Sequence, residues 1–450
     1  MTGDPGTLGR MTYRLTVLGT GYLGATHAVC MAELGYEVLG MDVDEAKIAS
    51  LRAGEVPFFE PGLEPLLRKN VESGRLRFTT SYAEAGEFGD VHFLCVGTPQ
   101  QAGSNAADLS YVDAVVDGLA PHLTRECLVV GKSTVPVGTA ERLAARLAAA
   151  APGGDAVELA WNPEFLREGF AVEDTLSPDR LVFGVRPGGR GEAVLREVFA
   201  PLLAKDTPVV VADYPTAELV KVSANAFLAT KISFINAMAE VCEVVHADVK
   251  KLSEALSYDT RIGGRFLHAG LGFGGGCLPK DIRAFMARAE ELGVDQALSF
   301  LAEVDAINQR RRARMVDLAC ELVGGAFAGK RVAVLGAAFK PNSDDIRDSP
   351  ALDVASAIRR QDAEVTVYDP AAVENARRIH PELAYAGSAP EAARDADVVL
   401  HLTEWREFRD MDPSVLSEVV RERNIVDGRN ALDPQLWRDA GWTYRALGRP

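Results

Sequence analysis

The stretch RLTVLGTGYLG, residues 14–24, decides how this 450-residue chain is read. Its first half is a short apolar run suited to a buried parallel strand, and its second half sets Gly19, Gly21 and Gly24 in the order GxGxxG. ATHAVCMAELG follows with its apolar residues at helical spacing, so the glycines stand between a strand and a helix. Each has a physical task. The first makes a tight turn, the second lets backbone N–H groups approach a pyrophosphate, and the third allows helix and strand to pack closely. A second strand, YEVLGMD, ends on Asp42, about 20 residues beyond the glycines. A carboxylate there accepts hydrogen bonds from an adenosine ribose and repels a 2′-phosphate, which favours NAD over NADP; Lys47 is close enough to assist.

Further strands follow at the spacing of a doubly wound sheet: DVHFLCVGTP from Asp90, ECLVVGKSTVPVGT from Glu126 and VELAWNP from Val157. Ligands of such sheets bind beyond the carboxyl ends of the strands, so Thr98, Ser133 and Thr134 should line the cofactor cleft. The plain alternative is that these hydroxyls only cap turns. EFLREG then sets Glu164 and Glu168 four apart; if it is helical, both carboxylates share a face and are candidates for acid and base work.

From Pro215 the chain runs about 30 residues without an internal glycine or proline, a single helix about 45 Å long. A helix of that length, apolar on several faces, should connect two halves and form much of a dimer interface. Lys221 and Asn225 share one of its faces. Beyond it the first half is partly repeated: RVAVLGAAFK echoes RLTVLGTGYLG, AEVTVYDPAA echoes YEVLGMDVDE, and DVVLHLTEW and RNIVDGRN echo the next two strands. The expected fold is therefore α/β, two Rossmann-like doubly wound domains joined by a long central helix. The segments are 12–212, 213–315 and 316–440. In the second sheet the glycine fingerprint is degraded to Gly336, Ala337 and Ala338, which predicts a kept sheet and lost dinucleotide binding. Lys340, Arg347 and Arg429 fall at its strand ends, where positive groups suit a nucleotide diphosphate.

The net charge of −16, from 48 Lys and Arg against 64 Asp and Glu, argues against nucleic acid or an anionic membrane as main partner. Six scattered cysteines without a CxxC pair point to a reducing, cytoplasmic setting. No stretch reads as a membrane span, and the first ten residues read as a loose tail without a signal core.

GFGGGCLPKD, residues 272–281, crowds four glycines against Cys277, with Lys280 and Asp281 just after. The residues alone leave two readings open, a reactive thiol on display or a small apolar filler in a glycine turn. Thiolate chemistry at neutral pH would need a nearby cation, and Lys221 and Lys280 are the candidates.

Taken in order, GTGYLG, CVGTP, STVPVGT, NPEFLREG, ELVKVSANAFLATKISFINAMAE, RIGGRFLHAGLGFGGGCLPKD and GAAFKPNSDDIRDSP resemble the UDP-glucose/GDP-mannose dehydrogenase family over nearly the whole chain. The resemblance implies oxidation of the C6 alcohol of a nucleotide sugar to a carboxylate with two NAD+. It implies Cys277 as the nucleophile, carrying a thiohemiacetal and then a thioester. Lys221, Asn225 and Asp281 would surround the reacting carbon, Glu164 would assist thioester hydrolysis, and Thr134 would touch water or cofactor. The implied NAD set is Gly19, Gly21, Gly24, Asp42, Lys47, Thr98, Thr134, Glu168, Lys280 and Arg347. Implied sugar-nucleotide contacts are Glu164, Phe165, Leu166, Arg167, Glu168, Lys221, Asn225, Arg261, Phe266, Leu267, His268, Ala269, Gly270, Gly274, Lys340 and Arg429; no metal is implied. His268 departs from the family, standing where many of its UDP-glucose members carry another basic or polar side chain. The DGRN segment resembles those members more than the GDP-mannose ones, which makes UDP-glucose the expected substrate and UDP-glucuronate the product. The other readings are the same chemistry on UDP-N-acetylmannosamine or GDP-mannose, and a non-catalytic nucleotide-binding protein.

Overall fold

The structure, a computed structural model, describes residues 13–450. The tail expected over the first ten residues, and residue 12 at the start of the first segment, lie outside the described residues. Contacts divide the chain into two compact units, one ending at Ser223 and the other Ala224–Pro450.

The first unit holds an eight-stranded sheet: β1 Arg14–Leu18, β2 Glu37–Met41, β3 Leu76–Thr79, β4 Val91–Leu94, β5 Cys127–Gly131, β6 Val157–Trp161, β7 Leu181–Gly184 and β8 Val209–Ala212. Their order is β3-β2-β1-β4-β5-β6-β7-β8. The chain reverses its direction of winding at β1, which pairs in parallel with β2 on one side and β4 on the other. That reversal opens a crevice at the carboxyl ends of β1 and β4, where the glycines lie. Side chains alternate along each strand, so Leu15, Val17, Leu128 and Val130 enter one core cluster, and Leu18, Leu94 and Val129 another. β3, β7 and β8 are not among the strands read from the sequence. β7 meets β6 antiparallel, through Trp161 and Gly184, and β8 pairs with β7 in parallel.

The second unit repeats the plan with β9 Arg331–Leu335, β10 Glu364–Tyr368, β11 Ala384–Tyr385, β12 Val398–His401, β13 Asn424–Asp427 and β14 Thr443–Ala446. The order β11-β10-β9-β12-β13-β14 is parallel throughout and again reverses beside its first strand. The helices that matter below are α1 (Tyr22–Glu33), α2 (Thr139–Ala150), α3 (Tyr214–Val245), α4 (Leu278–Glu291) and α5 (Phe300–Leu322). The central helix α3 is a single element of 32 residues, about 48 Å long, and the division between the units falls within it. Among the described residues no helix is long and apolar enough to cross a membrane.

Candidate active site

In the first unit the three fingerprint glycines differ in what faces them. Gly19 holds φ +87°, and a Cβ there would press on Val96. At Gly24 a Cβ would overlap the carbonyl oxygen of Gly19. Gly21 has no neighbouring atom within 4 Å of where a Cβ would stand, and it begins α1 without a side-chain cap. The open approach to an uncapped helix N-terminus is the cradle a pyrophosphate fits. At the end of β2, Asp42 is 8% exposed and accepts from Thr20 N (2.8 Å), Asp44 N (3.1 Å) and Lys47 Nζ (3.0 Å). Burial works against its charge, but these donors outweigh it and hold the carboxyl below its ordinary value. Residues 19–24 and 42 thus fit the adenosine half of NAD.

The hydroxyls at the next strand ends serve the backbone. Thr98 Oγ1 donates to Thr134 O (2.7 Å) and Ser133 Oγ to Val96 O (2.6 Å), tying the β4 and β5 loops together. The Thr134 side chain is half-buried.

EFLREG does not form a helix. Residues 162–167 are irregular and 168–169 form a turn, so Glu164 and Glu168 share no helical face. Partners outside the segment explain why. Lys132, buried at the end of β5, donates to Asn162 Oδ1 (2.9 Å), while Gly169 N and Ala171 N donate to the buried carboxylate of Glu60 (2.7 and 2.8 Å). Within the loop Glu164 Oε2 accepts from Leu166 N (2.6 Å), and its Oε1 stands 3.0 Å from Lys221 Nζ, with both side chains at least 85% buried. Phe165 lies between two cations, the Arg180 guanidinium 3.8 Å from its ring centroid and Lys221 Nζ at 5.6 Å. Arg167 pairs with Asp174 at 2.6 Å and is exposed, and Glu168 is half-buried in the turn. Lys132, Glu60 and Arg180 escaped the sequence reading. A lysine directly after a run of five buried strand residues was the available signal for the first of them.

In the second unit, Asn225 Nδ2 donates to Asp281 Oδ2 (2.6 Å) and Lys280 Nζ stands 2.5 Å from Asp281 Oδ1, a buried carboxylate in the first turn of α4. One turn before Asn225 on α3 is Lys221. Cys277 is the residue that starts α4, and it is exposed, whereas Cys30, Cys95, Cys127 and Cys242 are buried. Burial pushes the thiols of Cys30 and Cys95 up to about 12 and that of Cys127 to about 11, so these resist ionisation. The thiol at a helix N-terminus is placed where an anion is favoured.

Two parts of this unit are held against the protein itself. On the side where a Cβ would stand, the glycines before Cys277 let the loop pack against the chain. A Cβ on Gly272 would overlap Asn308, on Gly274 the Asp348 carbonyl, on Gly276 the Arg347 guanidinium, and on Gly275 (φ +84°) it would lie 2.7 Å from the Phe339 ring. Arg429 turns its fork to backbone carbonyls of its own unit. Nε donates to Leu402 O (2.7 Å), Nη1 to Gly272 O (2.9 Å) and Nη2 to Phe339 O (3.0 Å), with Glu404 beside it. Burial lowers its pKa, against the pull of Glu404. It is a clamp that joins three segments of its unit.

The remaining expected contacts are spread along this unit. Arg261 is exposed and paired with Asp259 (2.6 Å), and His268 is exposed. Leu267 and Ala269 are core residues packed with Ile235 and Val249. Phe266 adopts φ +64°, and Gly270 N donates to Asn236 Oδ1 (2.9 Å). Lys340 Nζ lies 5.2 Å from the Phe339 ring centroid, and Arg347, exposed, pairs with Asp345 (2.7 Å).

Comparison with known proteins agrees with this layout. Family models of the UDP-glucose/GDP-mannose dehydrogenase family match residues 13–203 (NAD binding domain), 215–310 (central domain) and 333–434 (UDP binding domain). A UDP-glucose 6-dehydrogenase of Rhizobium meliloti is 42% identical over 438 residues, 97% of this chain and 100% of the relative. The solved UDP-glucose dehydrogenase of Pyrobaculum islandicum is 38% identical, covers 99% of both chains and superposes with a TM-score of 0.90. A UDP-D-ManNAc dehydrogenase from Pyrococcus horikoshii is 26% identical over 97% of this chain and 99% of that one, with a TM-score of 0.85. With all three parts of the family matched in order, this chain belongs to the UDP-glucose/GDP-mannose dehydrogenase family.

Proposed function

We propose that the protein is an NAD-dependent UDP-glucose 6-dehydrogenase that carries the C6 alcohol of UDP-glucose through the aldehyde to UDP-glucuronate. The observation that carries this reading is Cys277, an exposed thiol at the head of α4, one turn from Asp281. Identities of 42% and 38% to proteins named for UDP-glucose, against 26% to one named for UDP-D-ManNAc, support the choice of sugar.

NAD supplies the hydride acceptor, once per oxidation. Lys221, beside Glu164, offers a cation to the oxygen that develops charge at C6 as its proton leaves. The Cys277 thiolate adds to the aldehyde carbon, forming the C–S bond of a thiohemiacetal; loss of the second hydride leaves a thioester. Water then adds to the thioester carbonyl, the C–S bond breaks, and the thiolate and carboxylate separate. Glu164 assists that hydrolysis, and Asn225 and Asp281, already joined, hold proton and water in place. The segments 12–212, 213–315 and 316–440 serve NAD, dimerisation and the UDP-sugar respectively, with Lys340 among the sugar-nucleotide contacts. α3 presents Phe227, Phe234 and Val241 to solvent at intervals of seven, with Val244 and Val245 beyond them; we assign this stripe to a second copy of the chain. The protein works in the cytoplasm, without nucleic acid or membrane.

A panel of nucleotide sugars tests the reading, with NADH counted per sugar. UDP-glucose should give two NADH per molecule, and Cys277→Ser should yield no acid. Acid formed by the serine variant at the parent rate would sink the covalent route, and turnover on another sugar alone would sink the substrate.

A further inference from the structure

The backbone of Gly272 and Phe273 is held by side chains of the same unit, and one of them has no part in the chemistry so far described. Asn308, fully buried on α5, accepts from Phe273 N at Oδ1 (2.8 Å) and donates from Nδ2 to Phe273 O (2.9 Å). Its amide thus satisfies both backbone groups of one residue, as a neighbouring strand would. Arg312, one turn further along α5, donates to the same carbonyl (3.1 Å), and Arg429 holds Gly272 O (2.9 Å). The Phe273 ring is buried with Ala226, Ala229, Ile282, Leu301 and Val304. Only Gly274, Gly275 and Gly276 separate this point from Cys277, and glycine is the residue least able to order itself. The thiol is therefore fixed on one side by α4 and on the other by the anchors of this loop, Phe273 through Asn308 and Gly275 N through the Arg347 carbonyl (2.8 Å).

We infer that Asn308 is a positioning residue for the Cys277 thiol, acting through the Phe273 backbone. The inference rests on the reading of Cys277 as nucleophile. Asn308→Asp keeps an acceptor for Phe273 N–H and sets an oxygen against Phe273 O where a donor stood. A displacement of about 1 Å at a reacting group costs about a hundredfold, so kcat should fall by at least about tenfold. KM for UDP-glucose and the NAD Kd should stay within about twofold, because a transition-state interaction is what is lost.

Val399→Ala, a core change in β12 away from the loop, gives the destabilised control. Amide exchange in the peptide spanning residues 271–277, and alkylation of Cys277 by iodoacetamide, should change in Asn308→Asp and not in Val399→Ala. Equal kcat losses in the two variants at matched Tm, or kcat unaltered in Asn308→Asp, would overturn the inference. A parent protein without turnover on any nucleotide sugar would fail the functional reading instead. An unchanged alkylation rate in Asn308→Asp would then overturn the positioning role as well.

Discussion

Glu218 is a carboxylate that the reaction does not use and that the fold of the first unit needs. It lies on α3, 2% exposed, and its oxygens accept from Gly138 N (2.7 Å) and Ala140 N (2.6 Å) at the start of α2. Gly138 caps α2 with φ +95° and no side chain, so Glu218 supplies from another helix the acceptor that a local cap would give. Its charge also sits at the positive end of a 12-residue helix. In Glu218→Gln one oxygen remains, while the amide NH2 faces a backbone N–H. The loss is one charge-assisted hydrogen bond, about 1.5–3 kcal/mol, and a helix-terminus term of up to about 2 kcal/mol. Relief from burying a charge offsets part of this, which leaves about 2–3 kcal/mol. Glu218→Ala leaves both N–H groups buried without an acceptor, at about 1–3 kcal/mol each, and should cost more. Calorimetry of both variants reads the stability, and hydrogen exchange at Gly138 and Ala140 reads the cause. Lys221 is one turn further along α3, so kcat should fall with the helix ends intact elsewhere. A glutamine variant within about 0.5 kcal/mol of the parent, the scale of an ordinary surface substitution, would refute the reasoning, as would an alanine variant milder than the glutamine one.

The first unit should weaken as pH falls, because burial lowers the His92 pKa from 6.5 to about 3. The unfolded chain binds the proton first, so stability is full above about pH 6.5 and falls towards pH 3, by about 2 kcal/mol from His92 between pH 7 and 5, and buried His27, also lowered by burial, adds to the fall; a flat stability over that range would exclude it. Asp42→Asn should narrow the preference for NAD over NADP by roughly tenfold, read from the two dissociation constants, since a carboxylate facing the ribose is removed. Phe234→Glu, in the middle of the exposed α3 stripe, should yield monomers in sedimentation at concentrations where the parent is dimeric. A parent that sediments as a monomer would remove that surface from the account.

What the sequence made legible are features whose cause is local. Gly19 and Gly24 are forced by backbone within the same strand-turn-helix, and the second sheet repeats the strand pattern of the first. β3, β7, β8, β11 and β14 went unread; they lie at or next to the sheet edges, and β7 and β8 run against the rest of their sheet. EFLREG misled because a spacing of four is helical only where the chain is free to coil, and Lys132 and Glu60 hold both ends of it. The partners of the Cys277 loop and of Arg429 went unread for a related reason. What a glycine makes room for, and what an arginine fork grips, depend on residues such as Asn308, Asp348, Phe339 and Leu402, far away in sequence. Asn308 and Glu218 are polar residues on helices, indistinguishable by pattern from a solvated face.

The two sheets share a plan yet differ in the place where a dinucleotide would sit, and side-chain chemistry accounts for the difference. Asp369 ends β10 as Asp42 ends β2. Its Oδ2 accepts from Ala337 N (2.8 Å), Ala338 N (3.0 Å) and Trp405 Nε1 (3.0 Å), and its Oδ1 from Ala371 N and Ala372 N (2.9 Å each). A carboxylate has about four lone-pair sites, so five donors leave none for a ribose hydroxyl. Asp42 accepts four donors, from Thr20 N, Thr20 Oγ1, Asp44 N and Lys47 Nζ, and the last is a flexible ammonium that can turn away and free a site. The loops differ in the same sense. Gly336 keeps φ +113°, the turn the first glycine makes, but Ala338 stands two residues on, where Gly21 is open to approach. Ala338 is fully buried, and its carbonyl accepts from Thr403 Oγ1 (2.6 Å). The backbone that cradles a pyrophosphate in the first unit is closed against its own protein in the second. The two sheets thus differ in whether the N–H groups after their first strand stay open, and only the first, matched as the NAD binding domain, keeps the cradle a dinucleotide needs.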